Sequence, residues 1–211
     1  MRKRRPLFIA SFLCFCFVSV ASAGPITYGV TVDTSSIFST AGSLDFNFNP
    51  GPLVTQAASL QILSFSGDGS LAGGPSLIGD VTGALPATVT FDNGGGFNDY
   101  FEGFTYGSTL TFQVYLYGPA LSSPDGTSTS GSTFAFSMFS DSVGTIPVLT
   151  SDTIDGFAFT VDVNLDGTTT VTNFSPVTSI NPVSAVPEPG GVVLLGTAIA
   201  SVGTLLRRKR L

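Results

Sequence analysis

Apolar and polar residues alternate along most of the chain with a period of two, the repeat of a strand that buries one face. In residues 43–48, Leu44, Phe46 and Phe48 fall on one side. In residues 109–117, Leu110, Phe112, Val114 and Leu116 oppose Thr111, Gln113, Tyr115 and Tyr117, and residues 132–140 align Phe134, Phe136 and Met138 in the same way. Similar runs predict strands at 26–33, 59–66, 76–82, 87–91, 100–106, 157–163 and 168–174. Turn residues separate them, among them Asn49-Pro50-Gly51, Gly67-Asp68-Gly69, Asp92-Asn93-Gly94 and Asp166-Gly167. No stretch before residue 190 carries a helical period, and no unit of 20–50 residues repeats. The pattern predicts an all-β chain: one antiparallel β-sandwich, wound like a jelly roll, over residues 24–175. Residues 176–185, with Pro176 and Pro182, read as a linker.

The alternation stops at both ends. Arg2 to Arg5 form a basic cluster and residues 7–20 an apolar run; Ala21-Ser22-Ala23 is a small-x-small site, so cleavage is expected between Ala23 and Gly24. Residues 1–23 therefore read as a signal peptide. Both cysteines, Cys14 and Cys16, lie within it. The expected mature chain has no thiol and no disulfide, so it must be held together by its core. At the other end, residues 190–206 carry no charge, and as a helix they would span about 26 Å against a hydrocarbon core of about 30 Å. Arg207, Arg208, Lys209 and Arg210 follow and would keep that end in the cytoplasm. Pro187, Glu188 and Pro189 precede the apolar run, and their two prolines favour an extended backbone outside the helix.

This arrangement over residues 186–211 resembles the PEP-CTERM sorting signal of exosortase-dependent bacteria. In that signal a Pro-Glu-Pro triplet, a short membrane helix and a basic cluster follow one another. The resemblance implies that a membrane-embedded exosortase recognises Pro187, Glu188 and Pro189, cuts nearby and releases the preceding domain outward. Residues 30–36 and 42–51 are similar to the opening segments of an uncharacterised class of PEP-CTERM proteins, a likeness that implies one compact domain and no particular activity.

Charge divides along the same boundaries. All eight Lys and Arg residues are in the two terminal clusters, there is no His, and 13 of the 14 acids lie within residues 24–186. A domain without a cationic side chain has no internal salt bridge and no charge attraction for nucleic acid or anionic lipid. Without His, Cys, Lys or Arg it cannot form a Ser-His-Asp triad, a His-ligated metal site, a Schiff base or a phosphate clamp. Carboxylates, hydroxyls and backbone groups are the chemistry that remains.

Four arrangements of those groups are candidates. Asp162, Asn164 and Asp166 followed by Gly167 match the opening of a calcium loop, although Asn173 stands where the closing Glu belongs. The alternation of Val161, Val163 and Leu165 reads the same segment as a strand entering a hairpin. Asp33-Thr34-Ser35 is similar to the aspartic-protease signature, but that chemistry needs a second carboxyl, and the other Asp-Thr pair, Asp152-Thr153, continues differently. Asp99 and Glu102 lie among Phe97, Tyr100, Phe101, Phe104 and Tyr106 like a glycosidase pair, with a surface loop as the plainer reading. Thr168 to Thr170 and the Thr127 to Ser130 run suggest a flat ice-binding array, which would need a repeat that is missing.

These readings lead to a non-enzymatic, cofactor-free protein that meets the Sec translocon, signal peptidase and exosortase. It is first anchored in the cytoplasmic membrane and then joins the cell surface or an exopolysaccharide matrix. A non-catalytic carbohydrate-binding module is the alternative, and a carboxylate-only hydrolase the third reading.

Overall fold

The structure, a computed structural model, describes residues 24–183. Among these residues thirteen strands form two antiparallel sheets packed face to face. The first sheet runs β13 (Thr178–Pro182), β1 (Ile26–Asp33), β9 (Thr109–Tyr117), β3 (Ser59–Gly67), β7 (Val89–Asp92) and β6 (Val81–Gly83). The second runs β12 (Thr169–Asn173), β11 (Phe157–Val163), β10 (Ser132–Phe139), β2 (Ala41–Pro50), β8 (Asp99–Thr105) and β4 (Ser70–Leu71), with β5 (Ser76–Ile78) also paired to β8. Among the described residues no helix is long and apolar enough to cross a membrane. The expected signal peptide and the expected cleavage-site residues Ala21 and Ala23 lie outside the described residues. So do Pro187, Glu188 and Pro189, the expected helix over 190–206, and the cluster Arg207, Arg208, Lys209 and Arg210.

The period-two residues fill the space between the sheets. Leu110, Phe112, Val114 and Leu116 of β9 are buried, while Thr111, Gln113, Tyr115 and Tyr117 stand on the outer face. Phe112 meets Phe46 of β2 at 5.4 Å and Phe136 of β10 at 5.1 Å between ring centroids, both edge to face, and so ties the sheets together. Phe134 and Phe136 contact Phe159 of β11, which completes an aromatic centre. One continuous apolar cluster spans the sandwich, as residues 24–183, which contain no cysteine and no cationic side chain, require.

Three segments differ from expectation. The single strand expected at 76–82 is two strands, β5 in the second sheet and β6 in the first. Gly79 turns the corner at φ +73°, where a Cβ would lie 2.2 Å from the Phe97 carbonyl oxygen. Buried Asn98 pins this corner: its Oδ1 accepts from Asp80 N–H at 2.9 Å, and its Nδ2 donates to the Phe48 carbonyl at 2.9 Å. The expected linker at 176–185 contains β13, which pairs with β1 from Tyr28↔Pro182 to Val32↔Thr178. Its prolines do not prevent this, because Pro176 precedes the strand and Pro182 is the last residue of an edge strand. Finally, one helical turn, α1 (Pro119–Ser122), and a 3-10 turn at Ser35–Ile37 interrupt the otherwise all-β described residues, with Pro119 supplying a helical φ at the first position of α1.

Candidate functional site

The most unusual chemistry lies on the outer face of the second sheet. In β2 the residues between Leu44, Phe46 and Phe48 point away from the core, which places Asp45 and Asn47 outside. In β8, Tyr100, Glu102 and Phe104 point inward, so Asp99 and Phe101 point outward. The antiparallel register sets Asp99 directly opposite Asn47, and Asp45 opposite Phe101. Asp45 and Asp99 are thus diagonal neighbours on one face, within side-chain reach of each other. Their carboxyls share a hydrogen bond.

Two carboxylates in contact cannot both stay charged without a countercharge. Burial, reinforced by the hydrogen bond to Asp99 and by its charge, pushes Asp45 up to about 9. Burial also raises Asp99, while the hydrogen bond from Asp45 works in the opposite direction. Asp45 therefore carries a proton at neutral pH, and that proton faces Asp99. Asn47 Nδ2 donates a further bond to Asp45 Oδ1 at 2.7 Å. Two oxygens at this position are buried without a hydrogen-bond partner, Asp99 Oδ1 and Asn47 Oδ1. A groove of about 350 Å³ opens above Asp45 and Asn47, lined also by Asn49, Phe97, Thr133 and Phe157 among others.

The residues singled out in the sequence are placed differently. Asp99 and Glu102 occupy opposite faces of β8, which rules them out as a pair flanking one bond. Glu102, only 2 % exposed, accepts from Gly73 N–H at 3.1 Å and from the Tyr100 hydroxyl, which itself accepts from Leu85 N–H at 3.0 Å. It is a clip that holds two loops against the sandwich. Asp33 caps its own turn by accepting from Ser35 N–H at 3.0 Å, and Asp152 accepts from Ile154 N–H at 3.0 Å; each serves a separate turn. Asp162, Asn164 and Asp166 lie around the β11–β12 hairpin, closed by Asn164 N–H to the Thr168 carbonyl at 2.9 Å with Gly167 at φ +82°. Asp162 accepts from the Thr133 hydroxyl at 2.6 Å, Asp166 from Thr168 N–H at 3.0 Å, and Asn164 Nδ2 donates to Thr168 and Thr170. Asp162 is thus tied to β10, whereas Asn164, through its amide nitrogen, and Asp166 are tied to Thr168 within the hairpin. Thr168 and Thr170 are tied into that hairpin, and Ser128 is capped by Asp125, so these hydroxyls do not form a flat array.

A carboxyl pair sharing one proton is an arrangement that acid–base hydrolysis uses. Here Asp99 is 8 % exposed, and of the two acids only Asp45 lines the groove. Sequence reading missed the pair because its members are separated in the chain. The outward position of Asp45 is legible from the alternation, but its encounter with Asp99 depends on the β2–β8 register.

The outer face of the first sheet carries a second feature. Tyr115 and Tyr117, two residues apart on β9, stack at 5.1 Å with ring planes 20° apart. Beside them in the register are Gln61 and Thr27 opposite Tyr115, and Ser59 opposite Tyr117. Farther along β9, Gln113 and Thr111 border a groove of about 390 Å³ shared with Gly29, Thr31, Ser64 and Asn181. From Tyr117 to Thr111 this strip is about 20 Å long. No family model matches the chain, and no curated protein or solved structure shows significant similarity to it.

Proposed function

We propose that this chain is the precursor of an exported β-domain, sorted and processed by exosortase, that becomes a structural or adhesive component of the cell surface or exopolysaccharide matrix. The observation that carries this reading is the separation of charge: every cationic side chain belongs to one of the two terminal clusters, and the tail places the Pro187, Glu188 and Pro189 triplet before an apolar run and Arg207 to Arg210. In this reading the N-terminal segment engages the Sec translocon and signal peptidase, and the tail holds the product in the cytoplasmic membrane until exosortase acts. Removing both ends leaves an acidic domain without cysteine.

The fold is compatible with that sequence of events. β1 begins two residues after Gly24, and Val183 N–H donates to the Thr27 carbonyl at 2.8 Å, so the chain enters and leaves at one corner of the first sheet. The four residues from Val183 to Pro187 span at most about 14 Å. A tethered precursor would hold that corner close to the membrane. The repeated passage of the chain between the two sheets from β1 to β10 is read as jelly-roll-like winding.

A specific observation favours a second reading, a non-catalytic carbohydrate-binding module. The Tyr115–Tyr117 stack offers a flat aromatic surface to a sugar ring, with Gln61 and Gln113 amides nearby as hydrogen-bonding groups.

The sorting reading is tested by Glu188→Ala in the exporting cell. The variant is expected to accumulate uncleaved in the membrane fraction. Normal processing and release would remove exosortase from the account.

A further inference from the structure

We propose that Asp45, Asp99 and Asn47 form a binding site for a hard divalent cation, calcium in an extracellular setting, on the outer face of the second sheet. The site is separate from the calcium-like Asp162, Asn164 and Asp166 segment, where Asp162 is engaged by Thr133 of β10 and the other two by Thr168 of the hairpin.

The argument begins with countercharge. The region from residue 24 to residue 186 contains no Lys, Arg or His, so no side chain in it can neutralise two adjoining carboxyls. Neutralisation must come from solution, as a proton or as a metal ion. Unsatisfied oxygens distinguish the two. Asp99 is more than nine-tenths buried, its Oδ1 has no hydrogen-bond partner, and Asn47 Oδ1 is also buried and unpartnered. A proton carried by Asp45 can satisfy Asp99 but leaves Asn47 Oδ1 unpaired, an unfavourable state for a buried acceptor. A cation would draw on oxygens of all three residues, with the Asn47 amide, whose Nδ2 donates to Asp45 Oδ1 at 2.7 Å, turning its Oδ1 to the ion.

The ligand chemistry fits the ion class. Every available donor is oxygen, two from carboxylates and one from an amide, which suits calcium and not the N/S-preferring transition metals. Among the described residues no group of three or more acidic, His or Cys side chains converges, so protein ligands cannot complete the shell. The groove above Asp45 and Asn47, about 350 Å³, is large enough for water to supply the rest. Few protein ligands imply modest affinity, with a dissociation constant of about 10⁻⁴–10⁻³ M, as in extracellular calcium modules.

The test uses the purified full chain in a non-ionic detergent, stripped with chelator and titrated calorimetrically with CaCl₂. One ion per chain is expected to bind in that range, and 10 mM calcium should raise the melting temperature by roughly 3–10 °C. NaCl at matched ionic strength should not. Asp99→Asn, nearly isosteric, should lose the binding heat and the calcium-dependent shift while keeping the parent's melting temperature or better in chelator. If Asp99→Asn does not fold, Asp45→Asn on the facing strand serves the same purpose. Absence of binding up to 20 mM, binding undiminished in both variants, or a shift fully reproduced by NaCl would overturn the proposal and leave the pair neutralised by its proton alone.

Discussion

Truncating Phe112 tests whether the aromatic centre is what keeps this sandwich folded. Phe112 is 2 % exposed on β9, a central strand of the first sheet, and its ring meets Phe46 and Phe136 edge to face from the opposite sheet. Replacing a buried Phe by Ala costs about 3–5 kcal/mol, through lost transfer energy and the cavity left behind. Each edge-to-face pair adds about 0.5–1.5 kcal/mol beyond burial, which places Phe112→Ala towards the upper end of that range. A domain of this size has about 5–15 kcal/mol in total, so the variant should lose a large share of its stability. With a urea dependence of about 2 kcal/mol per molar, the unfolding midpoint should fall by about 2 M. Far-ultraviolet circular dichroism follows the transition, and Phe38→Ala, at a residue 58 % exposed, serves as the control with an expected change within about 0.5 kcal/mol. The reasoning fails if the two substitutions shift the midpoint equally, or if Phe112→Ala moves it by less than about 0.5 M. Added salt should leave the difference nearly unchanged, because the residues between the termini contain no cationic side chain to form ion pairs.

Acid should destabilise the fold in a defined window. Asp68 is held at about 2 by the Ser108 hydroxyl and the Thr109 and Ser108 N–H groups, and Asp141 and Asp166 are also lowered by hydroxyl and backbone bonds in their turns. Because their folded values lie below the unfolded ones, their contribution is complete above about pH 4 and lost as the pH falls towards 2. The melting temperature should therefore decline between pH 4 and pH 2, less steeply in Asp68→Asn; a rise over that interval would contradict the assignment. For the second functional reading, Tyr115→Ala with Tyr117→Ala should weaken retention on the matching polysaccharide at least tenfold without moving the melting temperature by more than a few degrees. Unchanged retention would remove that face from consideration.

The pairing of Asp45 with Asp99 shows where legibility in the sequence ended. The alternation around Leu44, Phe46 and Phe48 is a local property of the chain, because a strand's side chains alternate whatever its partner. The same holds for β1, β9 and β11, whose observed bounds match the expected 26–33, 109–117 and 157–163. The proposed role in export also rests on contiguous segments, which composition and spacing make readable.

What lay beyond the sequence depended on which strands became neighbours. Gly79 looked like an interior strand residue, and only the closing of two sheets around it made it a corner. Residues 178–182 fell within the segment that Pro176 and Pro182 marked as a linker; the open edge of β1 supplied the hydrogen bonds that made them a strand. Asp99 and Glu102, close in sequence, were separated by the pleat of β8. Asp45 and Asp99 lie more than fifty residues apart in the chain, and the β2–β8 register brought them together. Period-two patterning determines which face a residue takes. The residue across the sheet is decided by register, a property of the assembled tertiary structure.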